Sequence, residues 1–366
     1  MNLRDVLISN IAALPRPPRT EPFEDALARL FANYLDLARQ VDADDDASKI
    51  VRRAVPDIER LCASIFRVLD LSLRGQPSRA RDELDKAIKD VTPHIERLVS
   101  VPIEGDKFGV AYRVRLCGVD AGLARSGLFH IPYDQRHRVG PQRFSVLGVP
   151  MLYLGSTLYV CWEELGRPPF RGLWMAAFRL RKGKTLKLLN LAYRPGLWAM
   201  LLDQAGYPAA VTELARIAAS YAVLWPLIAA STHQVPPGDA AFVIEYVVPQ
   251  LLMSWVAETN TFDGIRYFSS IHRMPPAATW AIINYALPAQ DIQPSGYSPR
   301  LADLFELTEP VEWTFSDAVG TLVTPLYHGR ISAVLKLAEG QGVPYEGTVF
   351  ARMEGTLEQV PFAPLA

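Results

Sequence analysis

The chain has 366 residues, enough for one large hydrophobic core or two modest ones, and a 49% hydrophobic share against 21% charged excludes a wholly disordered chain. A formal net charge of −1 gives no global field for nucleic acid or anionic membrane, so any charged ligand must be held by local groups. Three widely spaced cysteines, Cys62, Cys117 and Cys161, support neither a disulfide framework nor a Cys-rich zinc site and fit a reducing compartment.

The N-terminal stretch acquires Asp5 early and lacks a basic flank, a continuous apolar run and a small-residue cleavage site, so the expected location is the cytoplasm. Residues 1–100 read as a helical domain. Ile58, Leu61, Cys62, Ile65 and Leu69 follow helical spacing, as do Leu84, Ile88, Val91, Ile95 and Leu98, with Pro77 and Ser78 at the break between the two runs. The acidic stretch 42–46 falls between helical patterns and reads as a solvated loop or a helix start.

From Gly109 the texture changes to short strand-like runs at 110–116, 144–146, 151–154 and 176–180, separated by Gly- and Pro-containing turns. Between the last two, the segment from Thr157 to Arg167 reads as a short helix with two glutamates in its C-terminal half. A strand at 188–191 and alanine-rich helix to about Thr232 follow. The segment 217–238 is almost uncharged and approaches a membrane span in length, but Ser220, Pro226, Ser231, Thr232 and Pro236–Pro237 interrupt it, so a buried helix is expected. A second apolar helix over 241–256 should be bent or divided at Pro249. Gly264–Ser269 reads as a turn entering a strand, with further strands at 280–287 and 313–315. The expected organisation is a helical domain (1–100), an α+β catalytic domain (101–290) and a C-terminal extension (291–366) packed on it.

Several site chemistries are missing from the pattern. No Gly-rich phosphate loop with its lysine, no GxGxxG after a strand, no HExxH or Cys/His ligand set and no GxSxG elbow occurs, so P-loop, Rossmann, catalytic metal and common serine-hydrolase readings are not supported. The segments that remain are Tyr112-Arg113-Val114-Arg115, Gln142-Arg143-Phe144-Ser145, Leu152-Tyr153-Leu154-Gly155, Cys161-Trp162-Glu163-Glu164 and Gly264-Ile265-Arg266-Tyr267-Phe268-Ser269. In order and context they resemble the RES family, over about Gly109–Ser270. Arg113 matches the family's first arginine, Arg143 the arginine before the aromatic–Ser turn, Tyr153 the tyrosine of the LYL strand, Glu164 the glutamate and Ser269 the serine. A shift of one residue would exchange Glu164 for Glu163, and the interval from Tyr153 favours Glu164. After Ser269 the sequence Ser270-Ile271-His272-Arg273 departs from the commoner family ending.

The resemblance implies an ADP-ribosyltransferase-like split β-sheet and a toxin of the toxin–antitoxin kind that consumes NAD⁺ as substrate, with no prosthetic group and no metal. Catalytic roles then fall to Glu164, Arg113, Tyr153 and Ser269, and substrate binding to Arg143, Tyr112, Phe144 and Ser145. The residue chemistry is compatible. Arginine forks suit phosphate or ribose oxygens, with Arg136 and Arg138 as an adjoining basic edge. A tyrosine ring can stack on nicotinamide, a glutamate can stabilise positive charge developing at the ribose C1′, and a serine can position ribose by hydrogen bonding. The expected reaction is hydrolysis or phosphorolysis of the nicotinamide N-glycosidic bond. Transfer of ADP-ribose to a protein, and a non-catalytic nucleotide-binding or interaction module, stay open as alternatives. Expected partners are NAD⁺, a cognate antitoxin and a second copy of the chain, with neither nucleic acid nor membrane; the helical domain is the candidate surface for antitoxin binding, self-association or pocket covering.

Overall fold

The helical stripes of the N-terminal hundred residues are buried as their spacing requires. In the computed structural model, which describes residues 1–99, 109–204, 208–235, 242–269, 280–291, 293–313, 334–338 and 341–365, helix α3 (Asp46–Leu73) buries Ile58, Leu61, Cys62, Ile65 and Leu69. The side chain of Asp45, within the acidic stretch, accepts from the Ser48 N–H at 2.9 Å and caps this helix, so the stretch is a helix start. Gly75, with φ of 70°, ends the chain's run of helical φ values before α4 (Pro77–Val99), which buries Leu84, Ile88, Val91, Ile95 and Leu98. Helices α1 (Leu3–Ile8) and α2 (Phe23–Arg39) precede them.

The chain divides into two units that interleave along the sequence. The helical unit holds residues 1–101, 142–145 and 189–262, and the sheet unit holds 102–141, 146–188 and 263–366. The expected boundaries lie at 100 and 290; within the helical unit the apolar helices after residue 189 pack on the N-terminal ones. Helix α7 (Pro208–Thr232) is the main partner of α3 within that unit. By length and composition, Glu213–Thr232 is long and apolar enough to cross a membrane, and 89% of that window is buried inside the structure, as expected of a core helix.

A proline sits in the middle of this core helix. Pro226 has no N–H to give to the carbonyl of Ala222, four residues before it. The Tyr34 hydroxyl, from α2, donates to that carbonyl at 2.6 Å, and its ring stacks on Trp225 with centroids 3.9 Å apart. A neighbouring helix therefore supplies the hydrogen bond that the proline removes.

The second apolar helix is undivided. Helix α8 (Val247–Thr259) begins after a 3-10 turn at Ile244–Tyr246, which places Pro249 in its first turn, where no intrahelical donor is needed. The run 144–146 is also not a strand. The Ser145 hydroxyl donates to the Gln142 carbonyl at 3.0 Å and accepts from the Gln142 N–H at 2.9 Å, closing a local turn that uses the groups a strand would offer to a neighbour.

In the sheet unit, strands β1 (Val110–Leu116), β2 (Met151–Gly155), β3 (Leu173–Leu180), β5 (Gly264–Phe268), β6 (Ile283–Pro288), β7 (Phe305–Thr308) and β11 (Phe362–Pro364) run in the order β11-β7-β3-β1-β2-β6-β5. The two-residue strand β8 (Val311–Glu312) pairs with β3, and β9 (Val334–Ala338) and β10 (Gln341–Pro344) form a separate hairpin. The short strand β4 (Leu188–Asn190) falls where the chain passes from the sheet unit to the helical one. The residues expected as an extension at 291–366 thus supply three strands of the main sheet. Of the expected strand 313–315, Trp313 lies just past β8 and the rest lies outside the described residues.

One face of this sheet is covered by α5 (Leu158–Glu164) and α10 (Val349–Gln359). Tyr112, Val114, Met175, Leu158, Tyr159, Phe350 and Met353 form its core. Gly155 permits the close approach of α5: a Cβ there would lie 2.6 Å from the Cys161 Sγ.

Candidate functional site

Helix α5 carries the two glutamates, and both of its ends are fixed. At its start the Thr157 Oγ1 accepts from the Val160 N–H at 3.1 Å and donates to the Ala281 carbonyl at 2.7 Å, while the buried Glu354 carboxylate from α10 accepts from the Leu158 N–H at 2.6 Å. At its finish Gly166 takes φ of 78°. Consecutive helical residues are about 100° apart around the axis, so the two acids separate. Glu163 turns inward, is 3% exposed, and pairs with the Arg167 Nε at 2.7 Å. Glu164 is exposed, and its Oε1 accepts from the Asn284 Nδ2 at 2.7 Å.

Asn284 is 5% exposed and sits in the middle of a register row, opposite Gly155 of β2 and Tyr267 of β5. Tyr153 is opposite Ala286, two residues along β6, so Tyr153 and Asn284 are diagonal neighbours on one face. Ser269 is fully buried just beyond β5, where its N–H donates to the Ile282 carbonyl at 2.7 Å, two residues past the Tyr267–Asn284 pair of the ladder. Glu164, Tyr153 and Ser269 are therefore grouped around the end of β2, β6 and β5, with Asn284 orienting the carboxylate.

Arg113 occupies a different position. The ladder between β1 and β2 has a single registered pair, Tyr112 with Gly155, after which the strands separate. Tyr112 points into the core, 3% exposed, with its hydroxyl donating to the Glu358 carboxylate, so its neighbour Arg113 projects from the opposite face. The Arg113 Nη1 donates to the Tyr153 carbonyl at 3.1 Å across the opening. Burial, then the neighbouring Arg115, lowers the Arg113 pKa to about 9, which leaves it a cation at neutral pH.

Arg115 shares that face, two residues along β1. Its Nη2 donates to the Phe129 carbonyl at 3.1 Å, and burial lowers its pKa, with Arg138 adding in the same direction. The groups that act on Arg113 and Arg115 are cysteines, tyrosines and other arginines; among the described residues no carboxylate is one of them. His130, fully buried, holds this region without adding charge. Its Nδ1 lies 2.7 Å from the Ile131 carbonyl and its Nε2 accepts from the Ser298 N–H at 2.8 Å, and burial pushes its pKa down to about 4. Burial pushes the Cys161 thiol up to about 12.

The segment Arg143-Phe144-Ser145 belongs to the helical unit. The Arg143 Nη1 donates to the Ser231 carbonyl at 3.2 Å and its guanidinium lies 5.1 Å over the Tyr246 ring; Phe144 is fully buried and Ser145 closes the turn described above. Arg136 and Arg138, on the 3-10 segment Tyr133–Arg138, bond to the Tyr133 carbonyl and to Gln135. Residues 270–273, where the sequence leaves the family pattern, lie outside the described residues. Asn284 and Arg115 were not singled out for a role in the sequence. For Arg115 the signal was present, since a strand places residues i and i+2 on one face.

Comparison with known proteins gives one named similarity. The chain is 32% identical over 276 residues to a Bacillus subtilis (strain 168) protein named "Putative toxin YopC", covering 73% of this chain and 60% of that protein. The chain thus spans less than two thirds of this relative's length. No family model matches the chain, and no solved structure matches it.

Proposed function

We propose that the sheet unit is the catalytic part of a toxin-class enzyme that cleaves the nicotinamide N-glycosidic bond of NAD⁺. The observation that carries this reading is the exposed Glu164 carboxylate, oriented by Asn284 on the face that Tyr153 shares, while Arg113 reaches the Tyr153 carbonyl from the other face and, among the described residues, neither it nor Arg115 has a carboxylate partner. Such an arrangement suits a substrate that is anionic at one end and develops positive charge at the other. The RES resemblance supplies the substrate, and the similarity to a protein named as a toxin supports the class.

In this reading Arg113 and Arg115 take the pyrophosphate by charge-assisted hydrogen bonds, and the Tyr153 ring packs against nicotinamide or ribose. Glu164 accepts from the ribose hydroxyls and stabilises the sugar as the C1′–N bond breaks. The bonding pair leaves on nicotinamide, which departs neutral; the oxocarbenium-like C1′ is then attacked by water or inorganic phosphate, which gives up a proton. Water yields ADP-ribose, and phosphate yields its 1″-phosphate. Ser269 positions ribose by hydrogen bonding in this reading, as the resemblance implies; Arg143, a residue of the helical unit, has no role in it.

The test is to incubate the purified chain with NAD⁺, with and without phosphate, and to resolve the products chromatographically. Nicotinamide release that disappears in Glu164→Gln is expected. No release under either condition overturns the proposal.

A further inference from the structure

The segment 9–22, between α1 and α2, contains four prolines and lies against the start of α2 and the end of α7. Within the helical unit these elements enclose a cleft of about 340 Å³, lined by polar groups that include Asn10, Arg16, Arg19, Arg29, Asn33 and His233. None of them belongs to the sheet site.

The charges in the cleft do not balance. Arg19 is paired with Glu245, itself 1% exposed, through Nε and Oε1 at 2.7 Å. Arg29 is paired with Glu21. Among the described residues half-buried Arg16 has no such carboxylate: its Nη1 donates to the Asn10 carbonyl at 2.9 Å, and burial lowers its pKa. An anion in the cleft would give Arg16 a charge-assisted partner in place of the neutral carbonyl.

His233 adds a second polar group, 4% exposed and lining the same cleft. Its ring packs edge-on against Phe23 with centroids 5.4 Å apart, and its Nδ1 faces the Gln234 carbonyl at 3.5 Å. Among the described residues no hydrogen-bond partner is recorded for Nε2. Burial lowers the His233 pKa, which favours the neutral ring and makes Nε2 an acceptor. A group matching both residues carries an anion for Arg16 and, nearby, a hydroxyl for His233. The cleft volume is at the lower end of the range for small-molecule sites.

We propose that this cleft is a second binding site, for a small phosphorylated sugar or nucleotide, with its phosphate on Arg16 and a sugar hydroxyl donating to His233. The site is independent of NAD⁺ cleavage. The test is calorimetric titration of the full chain with AMP, ribose 5-phosphate, adenosine and inorganic phosphate. AMP or ribose 5-phosphate should bind more tightly than adenosine or phosphate alone. Arg16→Gln should weaken binding at least about tenfold, a loss of about 1.4 kcal/mol. His233→Phe should weaken the sugar phosphates more than inorganic phosphate, and Glu164→Gln should leave all four unchanged. His233→Gln, a smaller change, serves if the Phe variant melts below the wild type. Absence of binding by every probe at millimolar concentration overturns the site, as does wild-type affinity in folded Arg16→Gln or loss of binding in Glu164→Gln.

Discussion

The core of the helical unit and the candidate site in the sheet unit hold their polar groups differently. In the helical unit, the carbonyl of Ala222, deprived of its donor by Pro226, is answered by the Tyr34 hydroxyl, and buried Glu245 is answered by Arg19. In the sheet unit, Arg113 and Arg115 are held by the Tyr153 and Phe129 carbonyls, and Glu164 by the Asn284 amide. A dipole fixes the position of a charge without cancelling it, whereas an opposite charge does both. Groups held by dipoles keep their charge for a ligand. Arg16, held by the Asn10 carbonyl, and Arg143, held by the Ser231 carbonyl, show the same device within the helical unit.

The strongest test of this contrast separates the adjacent glutamates. Glu164→Gln should reduce NAD⁺ turnover by about 10³-fold, within the range for loss of one acid–base or electrostatic group, with an unchanged melting curve. Glu163→Gln should do the reverse, lowering Tm through loss of the Arg167 pair while leaving turnover near wild type. An exchange of these outcomes would break the comparison at its centre.

A smaller effect is expected from His130, the neutral support beneath the arginines. Its folded pKa of about 4 lies below the ordinary value of 6.5, so the unfolded chain binds more protons between those limits. The contribution of His130 is complete above about pH 6.5 and is lost as pH falls towards 4, at a total of about 3 kcal/mol. Denaturant unfolding at pH 7 and pH 4.5 should show this loss, and His130→Gln should flatten it.

In the helical unit, Tyr34→Phe should cost about 1–3 kcal/mol by leaving the Ala222 carbonyl unsatisfied. Adding Pro226→Ala, which restores the helical donor, should recover part of that loss, and thermal melts of the double-mutant cycle read it directly. The smallest expected effect is at the start of α5. Thr157→Ala should destabilise by about 1 kcal/mol through the lost cap, and should also lower turnover, because α5 carries Glu164. Lost stability with unchanged turnover would separate the helix from the site.

The sequence was most readable where periodicity is strong. The stripes of α3 and α4, the strand at Val110–Leu116 and the short helix ending at Glu164 all follow from spacing. Partners were not readable, because strand pairing and helix docking depend on segments far apart in one chain. Asn284 looked like a strand residue until β6 was placed between β2 and β5, and the apolar helices after residue 189 carried no mark that they return to the N-terminal unit. The run 144–146 misled for a local reason: its aromatic and aliphatic residues suit a strand, but the Ser145 hydroxyl closes a turn. The separation of Glu163 from Glu164 needed only the helical angle and the exposure of each side, and of these only the angle is in the sequence.

The interleaving of the units also sets a timetable for synthesis. Helix α3 is complete at Leu73, but its main partner α7 ends at Thr232, and a ribosome adding about 5–20 residues per second takes about 10 to 30 seconds to bridge that interval. Over that time the apolar stripe of α3 lacks its principal cover and is open to chaperones. Glu164 waits in the same way, since Asn284 emerges 120 residues after it. The carboxylate at the centre of the proposed chemistry is therefore oriented late in translation, after the last residue of the helical unit has been made.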